Sequence, residues 1–333
     1  MKCALREDEI LRVRDLDVRF YTYAGEVHAV SRVSFNVRAN ETVALVGETG
    51  CGKTVTTRAL TRLIEAPGKI VGGSALFRRR DGSVVDLLRL SDDEIRRIRG
   101  DEIAYIFQDP SSALDPLYTV GYHVWETVAD HRSAKKREVL REAVRLLRET
   151  AVASPEKRVK SYPHELSGGM RQRVVIALGI ANGPRMLIAD EPTTNLDVTV
   201  QAQILELLRD IQKKHSTSIL LITHNMGVVA EMASRVYVMY AGKIVEEGGV
   251  EEIFYDPLHP YTTLLLRAVP NPLSPSARLQ QIPGFVPSLI DPPPGCRFHP
   301  RCPKAVEICR LKEPPEVELG GGRRVSCWLY TGE

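Results

Sequence analysis

Leu11, Val13, Leu16, Val18 and Phe20 fall among charged residues at a period close to two, and Val33, Phe35 and Val37 repeat that period. A strand turns successive side chains to opposite faces, so the first forty residues predict antiparallel strands with one buried face. Thr42-Val43-Ala44-Leu45-Val46 is apolar at consecutive positions instead, the pattern of a strand covered on both faces. Leu76-Phe77 and Val84-Val85 flank Asp81-Gly82 as a hairpin, Ser91-Asp92-Asp93-Glu94 is a capping box that opens a short helix, and Ile103 to Phe107 predicts a buried strand.

From Val120 to about Thr150 the period lengthens: Val139, Ala143, Leu146 and Leu147 recur at helical spacing, with the basic residues of 135–145 on the polar face. Met186 to Asp190 and Ile219 to Thr223 predict two more buried strands, separated by a helix over Val198 to Lys214 whose Ile204, Leu207, Leu208 and Ile211 point inward. Strands alternating with helices predict an α/β core around a mostly parallel sheet, preceded by an antiparallel β subdomain and interrupted by a helical subdomain at about residues 110–180. Twelve of the 21 prolines lie from Pro270 onward, which predicts a main unit over 1–270 and a small Pro- and Cys-rich C-terminal extension over 271–333.

The chain has 333 residues, 43% hydrophobic and 26% charged, as expected of a globular protein with one large domain and an appendage. A formal charge of +3 gives no electrostatic case for wrapping nucleic acid. Arg78-Arg79-Arg80, the densest basic run, reads as a solvated hairpin tip. No apolar stretch approaches the ~20 residues that cross a bilayer. The polar, acid-bearing segment Met1 to Ile10 lacks the form of a secretory signal, and Cys3 and Cys51 stand alone, so a cytosolic setting is expected.

Gly47-Glu48-Thr49-Gly50-Cys51-Gly52-Lys53-Thr54, between an apolar strand and a helix, is a phosphate-binding loop for a nucleoside triphosphate. Glycines let backbone N–H groups curl around an oxyanion, Lys53 adds charge at the β/γ-phosphates, Thr54 offers a hydroxyl to Mg2+, and Cys51 reads as a small residue beneath the phosphates. Asp190, ending an apolar strand, can hold the hydration shell of magnesium, and the adjacent Glu191 can accept a proton from an attacking water. Ser167-Gly168-Gly169 at a helix entrance forms a second anion site, which makes sense if it serves a phosphate held by another subunit.

With these motifs, and with Leu166 to Gln172 as signature, the chain over about residues 8–270 resembles the nucleotide-binding subunit of an ATP-binding cassette (ABC) transporter. The resemblance implies that ATP is buried between the P-loop of one copy and the signature of a second ABC ATPase subunit, identical or a paralogue. It implies that Gln108 links magnesium and the attacking water to the membrane subunit, that Glu191 is the general base, that Asp197 ends the D-loop and that His224 touches the γ-phosphate. Tyr23 resembles the aromatic that stacks on adenine, with Tyr21 and Phe20 as alternatives. Met170 and Asn195 depart from the usual family residues without removing a catalytic group. Soluble family members that act on DNA carry a long insertion between glutamine loop and signature, and translation factors carry two cassettes. Here Gln108 and Ser167 are close in sequence and there is one cassette.

His259-Pro260-Tyr261, with Asn195 to Gln203, resembles the peptide and nickel importer branch. That implies two transmembrane permease subunits, an extracytoplasmic solute-binding protein and a place on the cytoplasmic face of the membrane, with di- or oligopeptides, nickel or oligosaccharides as cargo. Cys296, Cys302, Cys309 and Cys327 follow C-x5-C-x6-C-x17-C, without the paired knuckles of a zinc ribbon. A segment this poor in apolar residues gains stability from a shared metal centre. Tails of peptide importers resemble this one and hold a 4Fe-4S cluster, and zinc is the alternative.

Overall fold

The alternating N-terminal residues form two long strands, β1 (Glu9–Thr22) and β2 (Gly25–Arg38). In this computed structural model, which describes residues 5–269 and 281–332, Cys3 and the boundary expected at 270 lie outside the described residues. Along the chain follow β3 (Thr42–Val46), α1 (Lys53–Leu60), β4 (Gly68–Arg78), β5 (Val84–Asp86), α2 (Asp92–Ile98) and β6 (Ile103–Ile106). The helical subdomain holds α3 (Val120–Ala129), α4 (Lys136–Glu149), α5 (Pro155–Arg158) and α6 (Gly168–Ile180). Then come β7 (Met186–Asp190), α7 (Val198–His215), β8 (Ser218–Thr223), α8 (Met226–Met232), β9 (Arg235–Tyr240), β10 (Lys243–Gly249), α9 (Val250–Tyr255) and α10 (Pro260–Arg267). The tail adds α11 (Ile308–Leu311), β11 (Glu316–Glu318) and β12 (Arg324–Ser326).

Strands β2-β1-β4-β5 make an antiparallel sheet, and a second sheet runs β11-β12-β10-β9-β3-β8-β7-β6. Its β9-β3-β8-β7-β6 portion is parallel, because helical crossovers join those strands, whereas β10, β12 and β11 pair antiparallel. The sheet is therefore mixed, not mostly parallel throughout. Its central strands separate different cores. Val43 and Leu45 of β3 and Leu220 and Ile222 of β8 face the antiparallel sheet, packing with Leu11, Val13, Leu16 and Val18. Ile219 and Leu221 face the helical subdomain with Val139, Ala143, Leu147 and Val174, while Ala44 and Val46 face a third core around Tyr240, Tyr261 and Phe298. Burying each Val or Leu here contributes ~1.5–3 kcal/mol, which explains the continuous apolar runs.

Two expectations need correction. The helical stretch from Val120 breaks into α3 and α4 over residues 130–135. The arginine run is not a free tip: Arg79 Nε and the Arg80 N–H both donate to buried Glu102 (2.8 and 2.7 Å), and Arg80 Nη2 reaches the Gly183 carbonyl at 2.9 Å. A buried carboxylate demands partners, and the hairpin supplies them.

The tail borrows a core instead of building one. Phe298 is buried edge-on against Tyr240 and Tyr261, with centroids 5.0 and 5.3 Å away. Strand β12 joins the main sheet through β10 (Glu246↔Val325, Glu247↔Arg324).

Candidate active site

The carboxyl ends of the parallel strands lie side by side, with Val46 opposite Thr223 and Asp190 opposite Ile222, so the loops that follow share one edge. After β3 the chain turns sharply at Gly47 (φ +154°), where a Cβ would sit 2.1 Å from the Met239 carbonyl oxygen. Gly52 is left-handed (φ +104°), and a Cβ there would meet the Ala29 carbonyl oxygen at 2.4 Å. Only glycine fits either position. Lys53 is buried, and its ammonium donates to the carbonyls of Gly47 and Glu48 at 2.8 and 3.0 Å. Cys51 lies buried under the loop, and burial pushes its thiol pKa up against the pull of Lys53. Gly50 and Thr49 occupy the loop's crest.

The Thr54 hydroxyl donates to Asp190 Oδ1 at 3.2 Å, and the Tyr105 hydroxyl donates to Asp190 Oδ2 at 2.8 Å. Burial raises the Asp190 pKa even against these donors. Hydroxyl and carboxylate oxygens side by side are hard donors of the kind magnesium takes, alongside phosphate oxygens and water.

Glu191 sits one residue past β7 in a left-handed conformation (φ +47°), strained for a non-glycine residue. Its N–H donates to the Ile222 carbonyl at 2.8 Å. Its Oε1 lies 2.9 Å from His224 Nδ1, and its Oε2 accepts from Gln108 Nε2 at 3.1 Å and from the Thr194 hydroxyl at 2.9 Å. Gln108 follows β6 and His224 follows β8, so two sequence-distant residues converge on one carboxylate because their strands flank β7.

Ser167 caps α6, its hydroxyl accepting from the Met170 N–H at 3.4 Å, and Gly168 and Gly169 form the first turn. Among the described residues no hydrogen bond or ion pair joins this segment to the P-loop. Asp197 caps α7 by accepting from the Val200 N–H at 3.0 Å, and Asn195 is left-handed (φ +63°), which asparagine tolerates well. Tyr23 is fully exposed at the turn between β1 and β2, Tyr21 carries the Lys69 ammonium over its ring, and Phe20 packs against the core.

Several contacts escape sequence reasoning. Tyr105 is one, because a strand tyrosine carries no motif. The others converge on Glu48, whose N–H donates to the Tyr261 hydroxyl at 2.9 Å and whose carboxylate accepts both arms of the Arg301 fork. His259 caps α10, its Nδ1 accepting from the Tyr261 N–H at 3.1 Å, and complete burial drives its pKa down to about 3. The His259-Pro260-Tyr261 motif was legible, but its reach to the P-loop was not.

Cys296, Cys302, Cys309 and Cys327 are all free thiols near one another. The Cys296 N–H donates to the Cys309 carbonyl at 2.8 Å. Among the described residues, no group of three or more His, Cys, Asp or Glu side chains is arranged to hold a metal ion, so the four-thiolate centre that the resemblance implies is not shown. No helix among them is long and apolar enough to cross a membrane.

Residues 30–194 match the family described as ABC transporter, and residues 245–309 match the oligopeptide/dipeptide transporter C-terminal region. The chain is 48% identical to the oligopeptide transport ATP-binding protein OppD of Bacillus subtilis, covering 98% of this chain and 90% of that protein. It is 44% identical to the dipeptide transport ATP-binding protein DppD of Escherichia coli, covering 96% of each. Among solved structures, the ATP-binding cassette MJ0796, a dimer in a post-hydrolysis state with ADP and Pi, superposes with a TM-score of 0.64 at 25% identity, covering 72% of this chain and 99% of that one. The structure of cbiO1 from Clostridium perfringens, part of the ABC transporter complex cbiONQ, gives 0.62 at 28% identity over 75% of this chain and 92% of that one. With these motifs and this sheet order, the chain belongs to the ABC transporter family of ATP-binding proteins, in its oligopeptide/dipeptide branch.

Proposed function

We propose that this chain is the ATP-hydrolysing subunit of a membrane importer for di- and oligopeptides, and that ATP-driven pairing with a second ABC ATPase subunit powers transport. The observation that carries this reading is Glu191, held by Gln108, Thr194 and His224 beside the P-loop and able to take a proton from water as it attacks a phosphoryl group. Gly47 to Gly52 and Lys53 cradle the phosphates. Thr54, Asp190 and Gln108 would hold Mg2+, whose chemistry is to neutralise charge building on the phosphate oxygens. His224 orients Glu191 and approaches the γ-phosphate, and Tyr23, the most exposed of the three aromatics, stacks on adenine. Ser167, Gly168 and Gly169 complete the site of the partner ATPase from across the dimer, which fits their lack of any bond to their own P-loop.

The helical subdomain offers a groove of 390 Å³ lined by Leu117, Tyr118, Tyr122, Leu140, Val159 and Tyr162, with Leu117 78% exposed. Apolar exposure of that kind suits a docking element of the two transmembrane permease subunits on the cytoplasmic face of the membrane. An extracytoplasmic solute-binding protein would deliver the peptide. The peptide reading rests on the transport proteins named above and on the matched C-terminal region.

In the tail we favour a 4Fe-4S cluster on Cys296, Cys302, Cys309 and Cys327, with zinc as the alternative. Burial raises three of these thiols, Cys296 to about 12, yet the N–H groups of Phe298, Lys304 and Leu329 hydrogen-bond to Cys296, Cys302 and Cys327 and favour thiolates. The charge of each neighbour also acts on Cys296, and such crowding is relieved by a cationic centre. When bound, the cluster supplies folding stability to a tail with little core of its own.

The deciding experiment is Glu191→Gln. Nucleotide affinity should persist while turnover falls at least ~10²-fold, the lower range for loss of a general base, and ATP should trap a dimer on size exclusion. Unchanged steady-state hydrolysis would remove Glu191 from this role.

A further inference from the structure

Glu48 stands second in the P-loop, where a carboxylate lies close to the seat of a polyphosphate and repels it. Its partner comes from 253 residues further along the chain. Arg301 Nη1 and Nη2 donate to the two Glu48 oxygens at 2.8 and 3.1 Å, a fork-to-fork pair. The remaining N–H groups of Arg301 are also used: Nε donates to the Pro283 carbonyl at 2.8 Å, Nη1 to the Tyr240 hydroxyl at 3.3 Å and Nη2 to the Ile282 carbonyl at 3.5 Å. With its side chain 5% exposed, Arg301 has one place to sit. On the other side of Glu48, the backbone N–H is tied to Tyr261.

We propose that Arg301 is a positioning residue for nucleotide binding: the C-terminal segment reaches back to fix the P-loop at Glu48 and to cancel the negative charge of that residue before the phosphates arrive. This rests on the ATP-binding reading above. The hold acts on one turn of backbone. Gly47 and Thr49 flank Glu48, so a released carboxylate leaves their N–H groups free to rotate away from a phosphate. It also leaves a bare anion beside the ligand. Both effects weaken binding, and only the second is undone by removing the carboxylate as well. An ion pair that merely held the tail down would behave differently, because losing it would leave nucleotide affinity alone.

The test uses the full chain and a fluorescent ATP analogue with Mg2+, with thermal midpoints recorded for every variant. In Arg301→Gln the dissociation constant should rise about tenfold, about threefold from a loop that is competent about a third of the time and about threefold from the uncancelled charge. In the double variant Glu48→Gln/Arg301→Gln it should return to within about threefold of the unaltered protein, since the repelling charge is gone. Where ATPase activity is measured in the assembled transporter, Arg301→Gln should raise KM and leave kcat nearly unchanged. Unaltered affinity in Arg301→Gln, or a double variant as weak as that single one, would overturn the proposal. If Arg301→Gln does not fold, Arg301→Lys keeps the charge without the fork. Its affinity should then fall further behind the unaltered protein as salt is raised, and equal affinity at low and high salt would overturn the proposal. Failure of the unaltered protein to bind ATP at all would bring down the nucleotide reading, an outcome distinct from any of these.

Discussion

At Glu191 a left-handed backbone and three side-chain partners fix one carboxylate, and the motif residues around it were legible because each stands at a set distance from a strand end. Lys53, Thr54, Asp190 and Glu191 could be located from spacing and apolar runs, and His224 from the family resemblance. Tyr105 and Arg301 could not, since their partners are brought to them only by tertiary packing. His259 is a third case, read as a family marker and found to be a buried helix cap. Its depressed pKa carries a sign. The unfolded chain takes up this proton near pH 6.5, whereas the folded chain resists until near pH 3, so stability is lost as pH falls through that window. Between pH 6.5 and 5 this one group should cost about 2 kcal/mol. In His259→Asn, which keeps a side-chain acceptor at the cap, urea midpoints at pH 7 and pH 5 should differ by correspondingly less.

The elements show what periodicity can carry. Strands β1, β3, β7 and β8 and helix α7 stand where the apolar pattern placed them, and Ser91 and Glu94 form the capping box that opens α2. The break between α3 and α4 was hidden because residues 130–135, polar apart from Ala134, carry neither glycine nor proline to mark it. Tail strands β11 and β12 were hidden too, being three residues each, too short for alternation to register. Beside the β12 pairing and the Arg301 fork, one aromatic side chain set among Tyr240, Tyr261 and His259 fastens the tail. Phe298→Ala should therefore destabilise the protein by ~3–5 kcal/mol, the usual cost of emptying such a site, and limited proteolysis should cut the tail before the body of the chain. A loss below 1 kcal/mol in chemical denaturation would contradict the packing described.

Among the described residues no hydrogen bond or ion pair joins the P-loop to the Ser167 helix entrance, and in the proposed dimer the two serve different ATP sites. Neither net charge nor the apolar pattern names a partner, because partners are chosen by surfaces that the hydrophobic pattern does not encode. The tail chemistry is tested at this scale as well. Protein purified without oxygen should be brown and contain iron and acid-labile sulfide, and should lose both when Cys302 is replaced by serine. Zinc alone in elemental analysis would exclude the cluster.

The union of β10 with β12 sets an order of events during synthesis. Residues 324–326 leave the ribosome well after residues 243–249, so β10 has one open flank until they emerge. Unpaired flanks invite association with other chains. A polypeptide terminated before residue 324 would keep every nucleotide motif and still display that sticky border, so β12 protects the growing chain from aggregation.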